Sequence, residues 1–326
     1  MESEKVAILL AVYNGERYLS DLLHSLMKQT FTDFKIYIRD NCSTDGTIEL
    51  LEEWKERYPQ KVELLSAESN KGCIANFSAL MNSTLAPYVM FCDHDDIWLP
   101  NKIASTLAKM EQVELAHGQN HPIVVHTDLS VVDEELNLIA PSMWKATRLN
   151  TSPNCYAFSR LLVQNQLTGC TMMLNRSLVD LAKPIPLQSV MHDWWVALVA
   201  SCFGTIATVR QPTILYRQHE TNESGAKPYS FLSYLRRLRR SRIKVKMPAD
   251  AVQASPTGLD RVFVERKVEQ AELFLNRYQH QLSIKDMKTA VAYLKMQKAP
   301  FLRAITLILR HRFYKTGFLR NFILNH

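Results

Sequence analysis

"KVAILLAVYNGERYLSDLLHSLM", residues 5–27, sets the fold. Val6 to Val12 is an unbroken apolar run, the pattern of a strand covered on both faces. After Tyr18, apolar side chains recur at Leu19, Leu22, Leu23, Leu26 and Met27, which is helical spacing. The alternation continues down the chain. "FKIYIRD" (34–40) reads as a strand, and Ser43, Thr44 and Asp45 can cap the helix "GTIELLEEWKERY" (46–58). "VELLS" (62–66) is a third strand, "CIANFSALMNST" (73–84) a helix and "YVMFCD" (88–93) a fourth strand. Strands separated by helices of this length imply right-handed crossovers and a doubly wound, mostly parallel α/β sheet. Ligands of such sheets sit at the carboxyl ends of the strands.

Beyond Pro100 a helix runs to about Ala116, followed by strand-like "PIVVHTDLSVVD" (122–133). Residues 139–160 look irregular and are expected to cover the site. "GCTMMLN" (169–175) reads as a short strand, "HDWWVALVASCF" (192–203) as a helix, and "TIATV" (205–209) and "TILYRQH" (213–219) as two strands. From residue 228 the chain turns helical and basic, so a boundary is expected between a domain at 1–227 and an extension at 228–326.

The net charge of +7 over 326 residues hides a division. Residues 1–226 hold 18 Lys/Arg against 26 Asp/Glu, whereas residues 227–326 hold 21 against 6. An acidic body with a basic tail points to a phosphate-bearing partner. The start lacks the basic residues and long apolar core of a secretory signal, and no window has the roughly eighteen apolar residues that span a bilayer. Six scattered cysteines without a CxxC read as reduced thiols, so a cytoplasmic protein is expected.

"MFCDHDDIWLP" (90–100) gathers Asp93, Asp95 and Asp96 at the end of the fourth strand. Ionised carboxylates this close repel one another and resist burial unless a cation joins them. A hard divalent ion, Mg²⁺ or Mn²⁺, carrying a substrate diphosphate would supply that charge. Capping of the helix near Pro100 is the plainer alternative, but a cap uses one acid rather than three.

Six stretches in order, "AVYNGERYLSDLLHSLMKQT" (11–30), "RDNCSTDGT" (39–47), "NKGCIANF" (70–77), "FCDHDDIWLPNKI" (91–103), "HDWWVALVAS" (192–201) and "YRQHETNESGA" (216–226), resemble the family 2 glycosyltransferases of GT-A fold. The similarity is greatest to rhamnosyltransferase-like members that build bacterial surface polysaccharide, and it covers about residues 5–226. The resemblance implies a Rossmann-like nucleotide-diphospho-sugar transferase that moves a sugar to a hydroxyl with inversion at the anomeric carbon.

By the same resemblance, Tyr13 to Glu16 lies against the nucleotide, with Glu16 at the ribose. Asp40 would accept from the N3–H of uracil or thymine, though a strand-end aspartate equally caps the next turn. Asn70, Gly72 and Asn76 match the family's Asn-x-Gly-x-x-x-Asn segment near nucleotide and donor sugar, where Gly72 allows close backbone approach or simply starts a helix. Asp93 and Asp95 match its DXD pair, with Asp95 the better metal ligand. His94 stands where the family more often has Gln or Ala. His219 resembles a further metal ligand, and Arg217 would neutralise diphosphate charge.

An inverting transferase needs a base to take the acceptor's proton, and Asp193, opening the helix at 192–203, matches the family's base. A helix N-terminus lowers such a carboxyl's pKa, while burial beside Trp194 and Trp195 raises it. Asp193 as a plain N-cap is the structural alternative. Either Trp would be a sugar-stacking wall or core, and Thr168 with Gly169 lines an acceptor cleft on this view. His126, Thr127 and Asp128 are placed vaguely on the acceptor side.

In the tail, "YSFLSYLRRLRRSRIKVK" (229–246) interleaves aromatics with cations, and no acidic residue follows Asp286. That pattern fits contact with the cytoplasmic face of the inner membrane, where a lipid-linked acceptor would lie, or a homo-oligomer interface. Nucleic acid is disfavoured by the acidic catalytic half. The expected donor is dTDP-β-L-rhamnose. A UDP-hexose or UDP-N-acetylhexosamine donor and a non-catalytic nucleotide-sugar-binding scaffold are the alternatives. A nucleotidyltransferase is disfavoured because "AVYNGERYL" lacks a Gly-rich basic phosphate loop.

Overall fold

The computed structural model describes residues 4–67, 69–149, 151–219 and 258–314. The boundary at 227/228 and the basic stretch 229–246 lie outside them. Three strand–helix units and a fourth strand open the chain: β1 (Val6–Val12), α1 (Leu19–Met27), β2 (Phe34–Asp40), α2 (Thr47–Arg57), β3 (Val62–Leu65), α3 (Gly72–Asn82) and β4 (Tyr88–Asp93). Then come β5 (Ile97–Trp98), α4 (Lys102–His117), β6 (Ile123–Val132), β7 (Leu138–Ala140), α5 (Met143–Thr147) and α6 (Phe158–Leu161). β8 (Met172–Asn175), α7 (Arg176–Ala182), α8 (His192–Phe203) and β9 (Thr205–Arg217) complete the body. Three further helices follow, α9 (Gly258–Tyr278), α10 (Ile284–Gln297) and α11 (Phe301–His311).

One sheet has the order β3-β2-β1-β4-β8-β6-β9-β5, with β7 beside β6. The expected parallel pairing holds among β1 to β4 and between β6 and β9. β8 enters antiparallel to both β4 and β6, so the far half is mixed. β1 shows why its sequence is unbroken: Ala7 and Leu9 face one core with α3 and α8, while Val6, Ile8, Leu10 and Val12 face another with α1 and α4.

The two strands expected at 205–209 and 213–219 are one 13-residue strand. Its register against β6 shifts at Asp128, opposite Pro212. The shift absorbs the break that Pro212 introduces and lets pairing resume. Residues 139–160 are not wholly irregular; they hold α5, a 3-10 turn at Pro153–Tyr156 and the start of α6.

The described C-terminal helices join the body's core. Phe274 and Tyr278 of α9, with Ala290 and Tyr293 of α10, are buried in the cluster that contains α8. Helices α3, α6, α7, α8, α9 and α10 thus cover one face, and α1, α2 and α4 cover the other. β1 lies between β2 and β4 at the point where the strand order reverses, and pairing aligns Val12 with Asp40 and Ala11 with Asp93. A crevice at their carboxyl ends is where such a sheet binds a ligand.

Candidate active site

At the β2 end of that edge, two loops are stitched together. Asn14 takes a left-handed backbone (φ 48°) and its N–H donates to Ser43 Oγ at 2.8 Å. The N–H of Thr44 donates back to Asn14 Oδ1 at 2.9 Å, and Gly15 N–H donates to Thr47 Oγ1 at 2.8 Å. Glu16 is exposed and accepts from Gly46 N–H at 3.0 Å, while Tyr13 beside it projects into solvent. Both Asp40 oxygens accept from Ser43, one from its N–H at 2.8 Å and one from its hydroxyl. The capping alternative for Asp40 is therefore present in the fold.

Asn70 Oδ1 accepts from Asn41 Nδ2 at 2.6 Å and from Gly72 N–H at 3.0 Å. Gly72 has φ +81°, a conformation that a side chain disfavours, so glycine is required to enter α3 here. Asn76 is buried and accepts from Arg39, the neighbour of Asp40. The Asn-x-Gly-x-x-x-Asn segment and the Asp40 strand end thus share one hydrogen-bonded frame. Asn41, absent from the sequence-based set, is its central stitch.

The acid turn beyond β4 is divided. Asp95 Oδ2 lies 2.8 Å from His219 Nε2, and the two form a buried pair. Burial works to raise the Asp95 carboxyl, but the hydrogen bond from His219 and the nearby His94 outweigh it and hold it below the usual range. Asp93 instead clusters with Asp96 and Cys170, whose ligand atoms all lie within 4.8 Å of one another. Asp93, Asp95 and His219 are not gathered into one cluster among the described residues.

Asp96 is fully buried, and its Oδ2 has no hydrogen-bond partner. Burial, then Asp95 and Asp93, push its carboxyl well above the usual range. A buried carboxylate oxygen left over beside a second carboxylate fits a hard divalent cation. Cys170 is the poorer partner for such an ion, because a sulfur ligand is soft and Mg²⁺ or Mn²⁺ prefers oxygen. Lys102, also fully buried, sits with Nζ 4.5 Å from the Trp98 ring centre. Burial lowers its pKa to about 8, against the pull of Cys170, Cys92 and Asp96. No sequence pattern separates this lysine from the exposed ones at helix starts.

Arg217 is not placed to neutralise a diphosphate in this arrangement. Its side chain is buried over the Tyr18 ring at 4.7 Å. The guanidinium donates to Asp95 O (3.0 Å), Glu134 O (2.6 Å) and Asp21 Oδ2 (3.0 Å), and the Arg217 N–H reaches Asp96 Oδ1 at 3.3 Å. Buried and fully engaged, it braces the acid turn from below.

Asp193 occupies the first turn of α8 and is only 8% exposed. Its Oδ2 accepts from Gly169 N–H at 3.0 Å, while Oδ1 has no partner within normal reach. Burial raises its pKa to about 7, overcoming the N–H groups of Trp194 and Gly169 and the Asn165 side chain. The helix N-terminus loses to desolvation. Preceding it, His192 is buried and stacked on Phe77 at 3.9 Å, with Phe91 edge-on at 4.8 Å. Burial drives its pKa to about 3, so the ring is neutral.

A Cβ on Gly169 would meet His192 Nε2 at 2.8 Å, so only glycine lets this backbone approach Asp193. The next residue is Cys170 of the Asp93–Asp96 cluster. One 3-10 turn, Gly169–Thr171 with Thr168 before it, therefore touches both the Asp193 carboxyl and the acid cluster.

The tryptophans are core, not a sugar wall. Trp194 and Trp195 are 5% and 0% exposed, and their Nε1–H groups donate to Leu161 O and Ala182 O. Neither ring face is left for a ligand. His126, with a pKa lowered to about 3 by burial, hydrogen-bonds the Tyr156 hydroxyl, and Asp128 accepts from Ser142 Oγ and Trp144 N–H beside α5. Both are internal supports.

Residues 7–164 match the family model described as glycosyl transferase family 2. Residues 7–164 thus form a glycosyl transferase family 2 domain. Its sequence is 28% identical over 241 residues to the dTDP-rhamnosyl transferase RfbG of Shigella flexneri, an alignment covering 70% of this chain and 78% of that protein. Among solved structures, S. aureus TarS 1–349 in complex with UDP-GlcNAc matches 95% of this chain and 88% of that chain, with a TM-score of 0.53 at 19% identity. GalNAc-T7 with UDP, GalNAc and Mn²⁺ matches 98% of this chain and 57% of that one, with a TM-score of 0.52 at 13% identity. These likenesses show the GT-A fold with its mixed sheet. No helix among the described residues is long and apolar enough to cross a membrane.

Proposed function

We propose that this family 2 glycosyltransferase moves L-rhamnose from dTDP-β-L-rhamnose to a hydroxyl of a lipid-linked or growing surface polysaccharide, with inversion. The observation that carries the transfer chemistry is the junction at Gly169–Thr171, which sets a buried carboxyl of raised pKa beside a pair of acids. The choice of sugar leans on the likeness to the dTDP-rhamnosyl transferase.

Asp93 and Asp96 would hold Mg²⁺ or Mn²⁺, which when bound neutralises charge on the departing diphosphate. Asp193 takes the proton of the acceptor hydroxyl as its oxygen forms the new bond to the anomeric carbon. The bond from that carbon to the diphosphate breaks, and dTDP leaves with the electron pair. A pKa of about 7 suits this task, since the group is half ionised near neutral pH yet basic enough to accept a proton. Gly169 N–H holds the carboxyl in place, and the loops at 13–16 and 40–47 with Asn70, Gly72 and Asn76 frame the nucleotide. Asp95 and His219 fix the turn that carries Asp93. The protein is taken to work on the cytoplasmic face of the membrane.

A UDP-N-acetylhexosamine donor is the second reading, favoured by the fold match to TarS solved with UDP-GlcNAc. Thermal shift with dTDP, UDP, GDP and CDP, each with and without Mn²⁺, separates the readings, because a ligand of the native state raises its stability. Metal-dependent stabilisation by dTDP above UDP, followed by turnover of dTDP-rhamnose, is expected. A preference for UDP would move the donor to the second reading. No shift with any nucleotide would favour a scaffold.

A further inference from the structure

We infer that helix α11 (Phe301–His311) is an interfacial element whose outer face lies in the headgroup layer of an anionic membrane. It deepens the proposed reading, on which it rests for the lipid-linked acceptor but not for the contact itself.

The helix is a docked part of the fold. Leu307 and Ile308 turn inward to the core cluster, and Phe313 is buried with its ring 5.6 Å from that of Tyr293 in α10. Arg312 in a left-handed conformation (φ 58°) ends the helix and turns the chain back onto it. With one side so fixed, the other is presented outward.

That outward side is apolar. Leu302 is 78% exposed, Leu309 59% and Ile305 36%. Spaced i, i+3 and i+7, they form one stripe along the helix. Arg303 and Arg310, both exposed, run beside the stripe roughly a quarter turn further round. An apolar stripe with flanking arginines is what a helix lying in a membrane interface presents: the stripe enters the acyl boundary and the cations meet lipid phosphate.

Charge decides between occupants. From Met287 to the end the chain carries eight Lys/Arg and no Asp/Glu. A second copy meeting this face through the same face would set cation against cation, whereas an anionic leaflet complements it. The placement also suits the chemistry. α10 packs on α6, and α6 is tied to α8 by the Trp194 Nε1–H bond to Leu161 O. Asp193 therefore belongs to the same helical layer that carries α11.

Flotation of the full chain with vesicles of phosphatidylcholine, with and without phosphatidylglycerol, tests this. The wild type should float with the anionic vesicles. Leu302→Ser/Ile305→Ser/Leu309→Ser should cut the bound fraction about tenfold or more. Arg303→Gln/Arg310→Gln should cut it less and remove part of its salt dependence. Equal flotation of the wild type and both variants overturns the assignment. So does a wild type that stays unbound and dimeric while the triple variant is monomeric, which would make the face a contact between copies. Nucleotide thermal shift on the same samples separates the two claims: it should be unchanged in both variants, and its absence in the wild type would sink the transferase reading while vesicle binding stood.

Discussion

At the β2 end of the sheet's carboxyl edge, Asp40, Asp45 and Glu16 have oxygens taken by backbone N–H groups of neighbouring turns. At the β4 end, Asp96 and Asp193 are buried, and each has one oxygen without a partner. The first arrangement is a finished frame, built before any ligand arrives. The second keeps polar groups whose burial is costly until something binds them. On the proposed function, recognition would belong to the satisfied end and group transfer to the unsatisfied one.

The largest effect should follow from changing Asp193. Asp193→Asn removes the proton acceptor while keeping size and shape, so transfer should fall by about 10²–10⁴-fold with nucleotide binding retained. Near-normal turnover would dissolve the distinction between the two ends. The same variant has a stability signature. The folded carboxyl holds its proton up to about 7, whereas an unfolded one, with the ordinary value of 3.8, has released it. The native state therefore binds more protons across that window, and this group's contribution to stability falls as pH rises from about 4 to 7. Asp193→Asn should then stabilise the protein more at pH 8 than at pH 5, by a few kcal/mol at most, since one pKa unit is about 1.4 kcal/mol. Thermal melts at the two pH values measure the difference.

Arg217 belongs to the β4 end but serves as its brace. Truncating a buried, multiply bonded guanidinium should cost about 2–3 kcal/mol, read by urea unfolding of Arg217→Ala. Unchanged stability with weakened nucleotide binding would return Arg217 to the diphosphate. The smallest effect is expected at Asp40. Losing its cap on the Ser43 turn should cost about 1 kcal/mol in Asp40→Ala, and a much larger loss of nucleotide affinity would show that it reads the base as well.

The satisfied end was the more legible in sequence. Strands β1 and β2 follow from local patterns of apolar and polar residues, whereas the helix expected to be capped by Ser43, Thr44 and Asp45 has Gly46 at its N-cap without a side-chain cap, Asp45 instead accepting from Thr47 N–H. Helix α8 likewise begins at His192 and ends at Phe203, where the pattern put it. The family motifs brought Asp93 and Asp193 forward, but not what surrounds them. The direction of β8 is set by which strands it meets, and nothing in "MMLN" records that. Asp96, Lys102 and Cys170 become a buried cluster only when a turn, a helix start and a distant 3-10 turn converge. The tryptophans after Asp193 were ambiguous for the same reason: an aromatic at a helix start packs inward or outward according to α6 and α7, which supply the carbonyls for their indole N–H groups.

The most direct test is the pH dependence of the transfer step under single turnover. If the buried Asp193 carboxyl is the base, the rate should rise with pH to a plateau above about 7, and Asp193→Asn should abolish that limb along with most of the rate. A wild-type rate that is flat from about pH 5 to 8, or a limb that survives in Asp193→Asn, would contradict the assignment of the base.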